Sequence, residues 1–301
     1  GRGLTVEDIA FCWSFTTQAV TRDLEDLRMG LYGRGPYAWL ADDFPARTDL
    51  ENAYDEPDGA PINPFVVPAE DVMDALEPIG GAILGDEEVV EALVESYKYV
   101  DYLVLGRART PLLLHGLEGI FELDASTGDA NVSSDDLPFL LAVPKERPAE
   151  GIEPPFAVAI YLHGTGGDRM QVLGFAGQLA KFGIATVGVD LVMHGLVLPE
   201  GCDDLFDVAL GARGFTPIGE ALLDNRAIDI NNDGVADPSG NFWTYDPFRD
   251  RDAIRQGALD VIRLVQVLSS FDGQRQWEFD TNGDGRPDLE GLAGDFDGDG
   301  R

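Results

Sequence analysis

Residues Phe156-Ala-Val-Ala-Ile-Tyr-Leu162 form an unbroken apolar run, and the glycine-rich stretch His163-Gly-Thr-Gly-Gly167 follows it at once. A strand without a polar face must be covered on both sides, which is the situation of a strand inside a parallel sheet. Next comes Asp168, where a helix N-cap belongs. Val172, Phe175, Leu179 and Phe182 then recur on one helical stripe, and Gly183 suits the helix end. Ile184–Val189 is a second apolar run. Strand, turn, helix and strand in under 35 residues predict a right-handed βαβ crossover, and hence the α/β class with a mostly parallel sheet and flanking helices.

A longer helix is expected from about Arg249 to Ser270, with Ile254, Ala258, Val261, Val265 and Leu268 on one face. Residues 195–246 then read as an insertion whose Leu196, Val197, Leu198, Phe206, Phe215, Phe242 and Trp243 suit a lid, an acyl pocket or ordinary core. Upstream, Leu24, Leu27 and Leu31 mark a helix stopped by Gly33 and Gly35-Pro36, and residues 41–70 form a connector rich in Pro and Asp. A helix from about Asp86 to Ser96 leads into strand candidates at Tyr99–Leu105, Ile120–Leu123 and Leu137–Val143. The alternating stretch Asp8–Gln18 reads either as the edge of a β-domain or as a separate strand of the main unit. Its ending, Trp13-Ser-Phe-Thr-Thr-Gln18, is similar to the last strand of bacterial immunoglobulin-like sandwich modules. The expected division is a β-module tail at 1–18, a helical and Pro/Asp-rich linker at 19–118, and the α/β unit at 119–301. Both ends read as cut.

Acidic residues outnumber basic ones by 55 to 21, a formal charge of −34, which argues against nucleic acid or an anionic membrane as partner. No apolar run approaches the roughly 20 residues of a membrane span. Cys12 and Cys202, far apart in the chain, read as free thiols. Oligomeric state is not encoded legibly.

In acyl transfer the ester carbonyl becomes an anion, and one fixed N–H aimed at it is worth about 3–4 kcal/mol. Glycines let a backbone bend to present such a donor, so Gly164 and Thr165 are the candidate oxyanion hole, with the Thr165 N–H as donor. His163, Gly166, Gly167 and His194 would line the pocket. A phosphate-cradling loop is the competing explanation, but no Walker Lys-Ser/Thr follows and the spacing is not that of a dinucleotide turn. A plain strand-to-helix turn also stays open. His194, in Asp190-Leu-Val-Met-His194-Gly195, reads as a loop histidine shaping the pocket or as a base for an unexpected nucleophile; His115 reads as packing.

The segments FAVAIYLHGTGGDR, GIATVGVDLVMHG and DPFRDRDAIRQGALDVIRLVQVLSSFDG together resemble the first half of large secreted bacterial lipases or esterases of the α/β-hydrolase superfamily. The Arg255–Asp260 stretch is similar to the helix that precedes the nucleophile strand in that family. The resemblance implies an incomplete hydrolase core and a serine on the next strand. None of the eight serines lies in a G-x-S-x-G elbow, so nucleophile, acid and base are expected beyond this chain.

Asp229-Ile-Asn231-Asn-Asp233-Gly234-Val-Ala-Asp237 and Asp280-Thr-Asn282-Gly-Asp284-Gly285-Arg-Pro-Asp288 share one pattern, and Asp295-Phe-Asp297-Gly-Asp299-Gly300 begins a third copy within 295–301. Oxygens at positions 1, 3, 5 and 9 can surround a hard cation, and glycine at 6 permits the sharp turn. Gly240 and Gly291 stand where an EF-hand has its glutamate, so the loops resemble those of dockerins and thrombospondin-type repeats. Structural calcium is expected, and with it a secreted or cell-surface protein. The sequence thus favours a carboxylic ester hydrolase acting on an ester or lipid. Its rival is a non-enzymatic, calcium-stabilised surface or adhesion module.

Overall fold

The computed structural model describes residues 21–55, 63–74, 87–117, 119–198, 208, 210–279, 286 and 289–298. The expected β-module tail at 1–18, both cysteines, Phe206, and the loop positions Asp280, Asn282, Asp284, Asp288 and Asp299 lie outside these residues.

The helices are α1 (Arg22–Leu31), α2 (Leu40–Asp43), α3 (Glu87–Ser96), α4 (Leu173–Ala180), α5 (Thr216–Leu223) and α6 (Pro247–Leu268). The strands are β1 (Asp49–Leu50), β2 (Val66–Pro68), β3 (Val100–Leu112), β4 (Leu123–Asp124), β5 (Asp129–Ala130), β6 (Ser133–Pro144), β7 (Ala157–Leu162), β8 (Ile184–Val189), β9 (Gln276–Phe279) and β10 (Leu289–Leu292). A mixed sheet runs β1-β3-β6-β8-β7, with β2 on the same side of β3 as β1. It draws strands from both sides of the expected boundary at residue 118.

The expectation of a mostly parallel sheet is corrected: among these strands only β7 and β8 pair in parallel, and β1, β2, β3, β6 and β8 pair antiparallel. A parallel pair needs a crossover, and the β7–α4–β8 segment supplies one. Between β3 and β6 the chain makes only the short β4–β5 hairpin, so β6 returns alongside β3 from Leu112↔Ser133 to Val100↔Pro144. Of the expected strand Ile120–Leu123 only Leu123 is paired, in the two-residue β4 against β5, and the segment does not join the six-stranded sheet. Its backbone is strapped to α6, where the Phe121 N–H donates to Asp252 at 2.9 Å, and Phe121 and Leu123 pack beside α1 and α6.

Side chains alternate across the sheet. Leu103, Leu105, Leu140 and Ala142 face α3, α4 and α5, while Tyr102, Val104, Leu141, Val143 and Val187 face Leu264 of α6 and Phe296. Helices therefore cover both faces, as in a layered α/β domain. β8 is interior and buried, and β7 is the terminal strand at this end of the sheet, with Val158 and Leu162 45% and 46% exposed. No described helix is long and apolar enough to cross a membrane.

Candidate active site

The carboxyl ends of β7 and β8 point the same way, because the two strands are parallel. Ligands of open α/β sheets bind beyond such ends. At the end of β7 the Gly167 N–H donates to the Gly164 carbonyl at 3.0 Å, and Gly166 adopts φ +76°, which closes the turn. Asp168 then caps the next segment by accepting from the Met170 N–H at 2.8 Å. Gly164, Thr165 and Gly166 are exposed and Gly167 is buried. The Thr165 N–H finds no acceptor among the described residues. Its hydroxyl accepts from Trp243 Nε1 at 3.1 Å.

His163 is buried and locked. Its Nε2 accepts from the Leu191 N–H at 3.0 Å, so the proton must sit on Nδ1, which donates to the Gly164 carbonyl at 2.9 Å. The imidazole thus ties the glycine turn to the segment after β8. Asp190, at the start of that segment, is fully buried and accepts from both the N–H (2.7 Å) and the guanidinium of Arg169. Burial pushes the Asp190 carboxyl up, and Arg169 opposes that.

The His194 ring lies tilted against that of His163, with centroids 4.8 Å apart, and meets the Phe242 ring edge-on at 5.0 Å. Its Nδ1 donates to the Val192 carbonyl at 2.9 Å, leaving the buried Nε2 without a hydrogen-bond partner among the described residues. Burial pulls the His194 pKa below its ordinary 6.5, against the Val192 hydrogen bond. A histidine with a depressed folded pKa supports the fold fully above its unfolded value and progressively less as pH falls through its folded value. His194→Phe is therefore expected to shrink the loss of stability between pH 7.5 and pH 5. Urea titrations at both pH values check this, and an unchanged pH difference would count against it.

The insertion folds back over this end. Ser239, at φ +61°, donates its N–H to the carbonyl of Met193, itself at φ +63°, at 2.6 Å. Asn241 donates to the Leu117 carbonyl at 2.9 Å, Phe242 lies on His194, and Trp243 stays 55% exposed beside Thr165. Phe215 instead joins the core under α5. His115 Nε2 is hydrogen-bonded to the Asn131 carbonyl at 3.0 Å.

Behind the site, Arg226 of the insertion reaches Asp135 of β6 at 2.7 Å and Asp260 of α6 at 2.6 Å. Thr110 and Gln256 also donate to Asp260, each at 3.0 Å. A polar cleft of ≈ 330 Å³ lined by Arg109, Asp135, Asp136, Asp224 and Arg226 opens here. Asp135 is 30% exposed and Asp260 is sealed, so Asp260 depends on Arg226 for compensation. Sequence reasoning missed this network and the Arg169–Asp190 pair. The available signal was the recurrence of polar residues, Asp252, Gln256, Asp260 and Arg263, at helical spacing along what is the buried face of α6.

In the Asp229 loop, Asp229 accepts from the Asp233 N–H (3.2 Å) and the Gly234 N–H (2.8 Å), Asn231 from Asp233 (2.8 Å), Asp233 from Val235 (2.9 Å), and Asp237 from Ile230 (3.0 Å). Gly234 supplies the turn at φ +90°. These are the oxygen donors a hard cation takes. Yet no group of three or more His, Cys, Asp or Glu among the described residues is gathered to hold a metal ion. Asp295 and Asp297 line a separate cleft of ≈ 350 Å³ with Trp277 and Phe65. Compared with known protein families, characterised proteins and solved structures, the chain matches none.

Proposed function

We propose that this chain carries the oxyanion half of a carboxylic ester hydrolase, a lipase or esterase, whose serine nucleophile stands on a strand beyond its last residue. One observation carries the reading: a glycine turn whose exposed Thr165 has a backbone N–H without an acceptor among the described residues ends an apolar strand whose outer edge has no partner among them either. β8 is already flanked by β6 and β7, so a further strand beside this pair can join only β7. Its carboxyl end would then come next to Thr165. There a serine attacks the ester carbonyl and a histidine takes its proton. The Thr165 N–H, with the N–H following the serine, holds the developing oxyanion.

The expected result is no p-nitrophenyl butyrate hydrolysis by the 301-residue chain, since loss of a triad costs on the order of 10⁶ in turnover. Activity should return when the chain is extended by any residues its gene encodes past Arg301. Turnover by the 301-residue chain that is abolished by Ser239→Ala would move the nucleophile into the insertion and overturn this reading. Ser239 is singled out because its hydroxyl lies 3.8 Å from where a Gly166 Cβ would stand.

Calcium at 229–237, 280–288 and 295–301 belongs to the same proposal, as does a place outside the cell or on its surface, where calcium is abundant. Binding to the folded state alone adds about 2.7 kcal/mol when free calcium is 100 times its Kd. Calorimetry should show a higher melting temperature with calcium than with chelator; identical melting and no heat of titration would remove calcium from the proposal.

A further inference from the structure

α6 carries its polar residues inward and an apolar stripe outward. Asp252, Gln256, Asp260 and Arg263 are buried, whereas Ile254 and Val265 are 51% and 42% exposed, with Ala258 and Val261 half-buried between them. At about 100° per residue these four apolar residues share one flank of the helix. Its neighbours fix where that flank looks. On the opposite flank, Leu259 and Ile262 pack with Leu27 and Leu31 of α1, and Arg263 reaches the Pro45 carbonyl just before β1. On the near side, Ala253 packs with Val192 and Met193, and a Cβ at Gly257 would stand 3.7 Å from Leu191, all residues that follow β8. The stripe therefore faces away from β1, past β8 and toward β7.

β7 is open on the same side. Tyr161 turns to the other face of the sheet, where its ring meets Phe175 of α4 edge-on at 4.8 Å. Val158, Ile160 and Leu162 alternate with it and turn to the face of α6. Ile160 packs with the cluster around Leu264, but Val158 and Leu162 stay nearly half exposed. The result is an apolar trough with β7 as its floor and α6 as its wall, free of charged side chains along both, in a chain of net charge −34.

The hand of the crossovers says what covers it. A connection from one strand through a helix to a parallel strand of the same sheet is right-handed in about 98% of cases. From β7 to β8 the chain moves one way along the sheet with α4 on one face, and α6 then follows β8 on the other face. A right-handed crossover through α6 must move the opposite way, from β8 back past β7 to its free edge. Beyond a strand placed there, the next open position lies farther out still. The following crossover then moves the same way, and its helix lies on the face of α6, above β7. We infer that the trough seats an amphipathic α-helix of the same chain, the one that follows the strand added at β7; this rests on the added strand of the hydrolase reading, not on its serine.

Val265→Asp tests the cover. In the chain extended by the residues its gene encodes past Arg301, the change buries an unpaired carboxylate and is expected to lower the melting temperature by more than about 5 °C. In the 301-residue chain the position is open, and the loss should stay below about 2 °C. Val89→Asp, at a position of α3 that is 50% exposed, should cost little in both chains. Equal losses for Val265→Asp in the two chains would place the cover within these residues or in a second copy and overturn the proposal. So would equal losses for Val265→Asp and Val89→Asp in the extended chain, or a gene that encodes nothing past Arg301. If the 301-residue chain does not melt cooperatively, the comparison of the two positions in the extended chain decides alone. Hydrolysis of p-nitrophenyl butyrate is read separately: an extended chain that shields Val265 but hydrolyses nothing would keep the helix and sink the hydrolase reading.

Discussion

Arg226→Met is expected to destabilise the chain by about 3–5 kcal/mol, the cost of stranding one member of a buried ion pair. Burial would lower the Arg226 guanidinium, but Asp260 and Asp135 outweigh it and hold its pKa above the ordinary value. Burial pushes the Asp260 carboxyl up, and Arg226 is the first of the groups opposing that. Without the arginine, Asp260 has no opposing cation and must take up a proton to stay buried. A carboxyl with a raised folded pKa supports the fold below its unfolded value and loses that support as pH rises through the folded one. The deficit of Arg226→Met should therefore be larger at pH 8 than at pH 5. Adding Asp260→Asn, which keeps an acceptor for Thr110 and Gln256, should recover at least half of it. Denaturant titrations of single and double variants measure this; a double variant no better than the single one would show that the charge is not the cause.

Gly195→Ala is the second change with a large expected effect, about 3 kcal/mol or more. Gly195 follows His194 at φ +150°, a conformation that side chains rarely adopt. An added Cβ would stand 2.1 Å from the Cβ of Asn225. Asn225 cannot swing away, because its Cβ is fixed to a backbone pinned by its own amide. That amide donates to the Leu196 and Leu223 carbonyls at 3.0 and 2.9 Å and accepts from the Ala227 N–H at 3.0 Å. Adding Asn225→Gly removes the collision but not the backbone strain, so it should restore part of the loss. Melting of Gly195→Ala at the temperature of the unaltered chain would refute the argument.

The βαβ unit was legible because two apolar runs, a glycine turn and a capping aspartate all pointed to the same arrangement. The direction of β3 and β6 was not. With helices on both faces, β6 is buried continuously from Leu137 to Pro144, and a strand covered on both sides looks alike whether its neighbour runs with it or against it. Phe121 and Leu123 misled for a related reason, since β-forming apolar residues also suit a segment packed on helices. At the site, the glycine turn announced itself locally. The buried ring of His194 packs edge-on against Phe242, far along the chain, and the partners of Asp260 come from residues as far away as Thr110, 150 positions earlier. Such distant pairings leave no period or spacing to read.

Because β8 lies between β6 and β7, the order in space reverses the order of synthesis for the last two strands of the six-stranded sheet. When β7 leaves the ribosome, the edge of β6 that it would approach is reserved for a strand not yet made. At roughly 5–20 residues per second, the chain from Leu162 to Val189 takes about one to five seconds to appear. Over that interval the run from Ala157 to Leu162, which carries no charge and no proline, has both edges open. The time of greatest danger for this protein is thus a fixed window of translation, and a faster-read stretch of codons between residues 163 and 189 would narrow it without altering a single side chain.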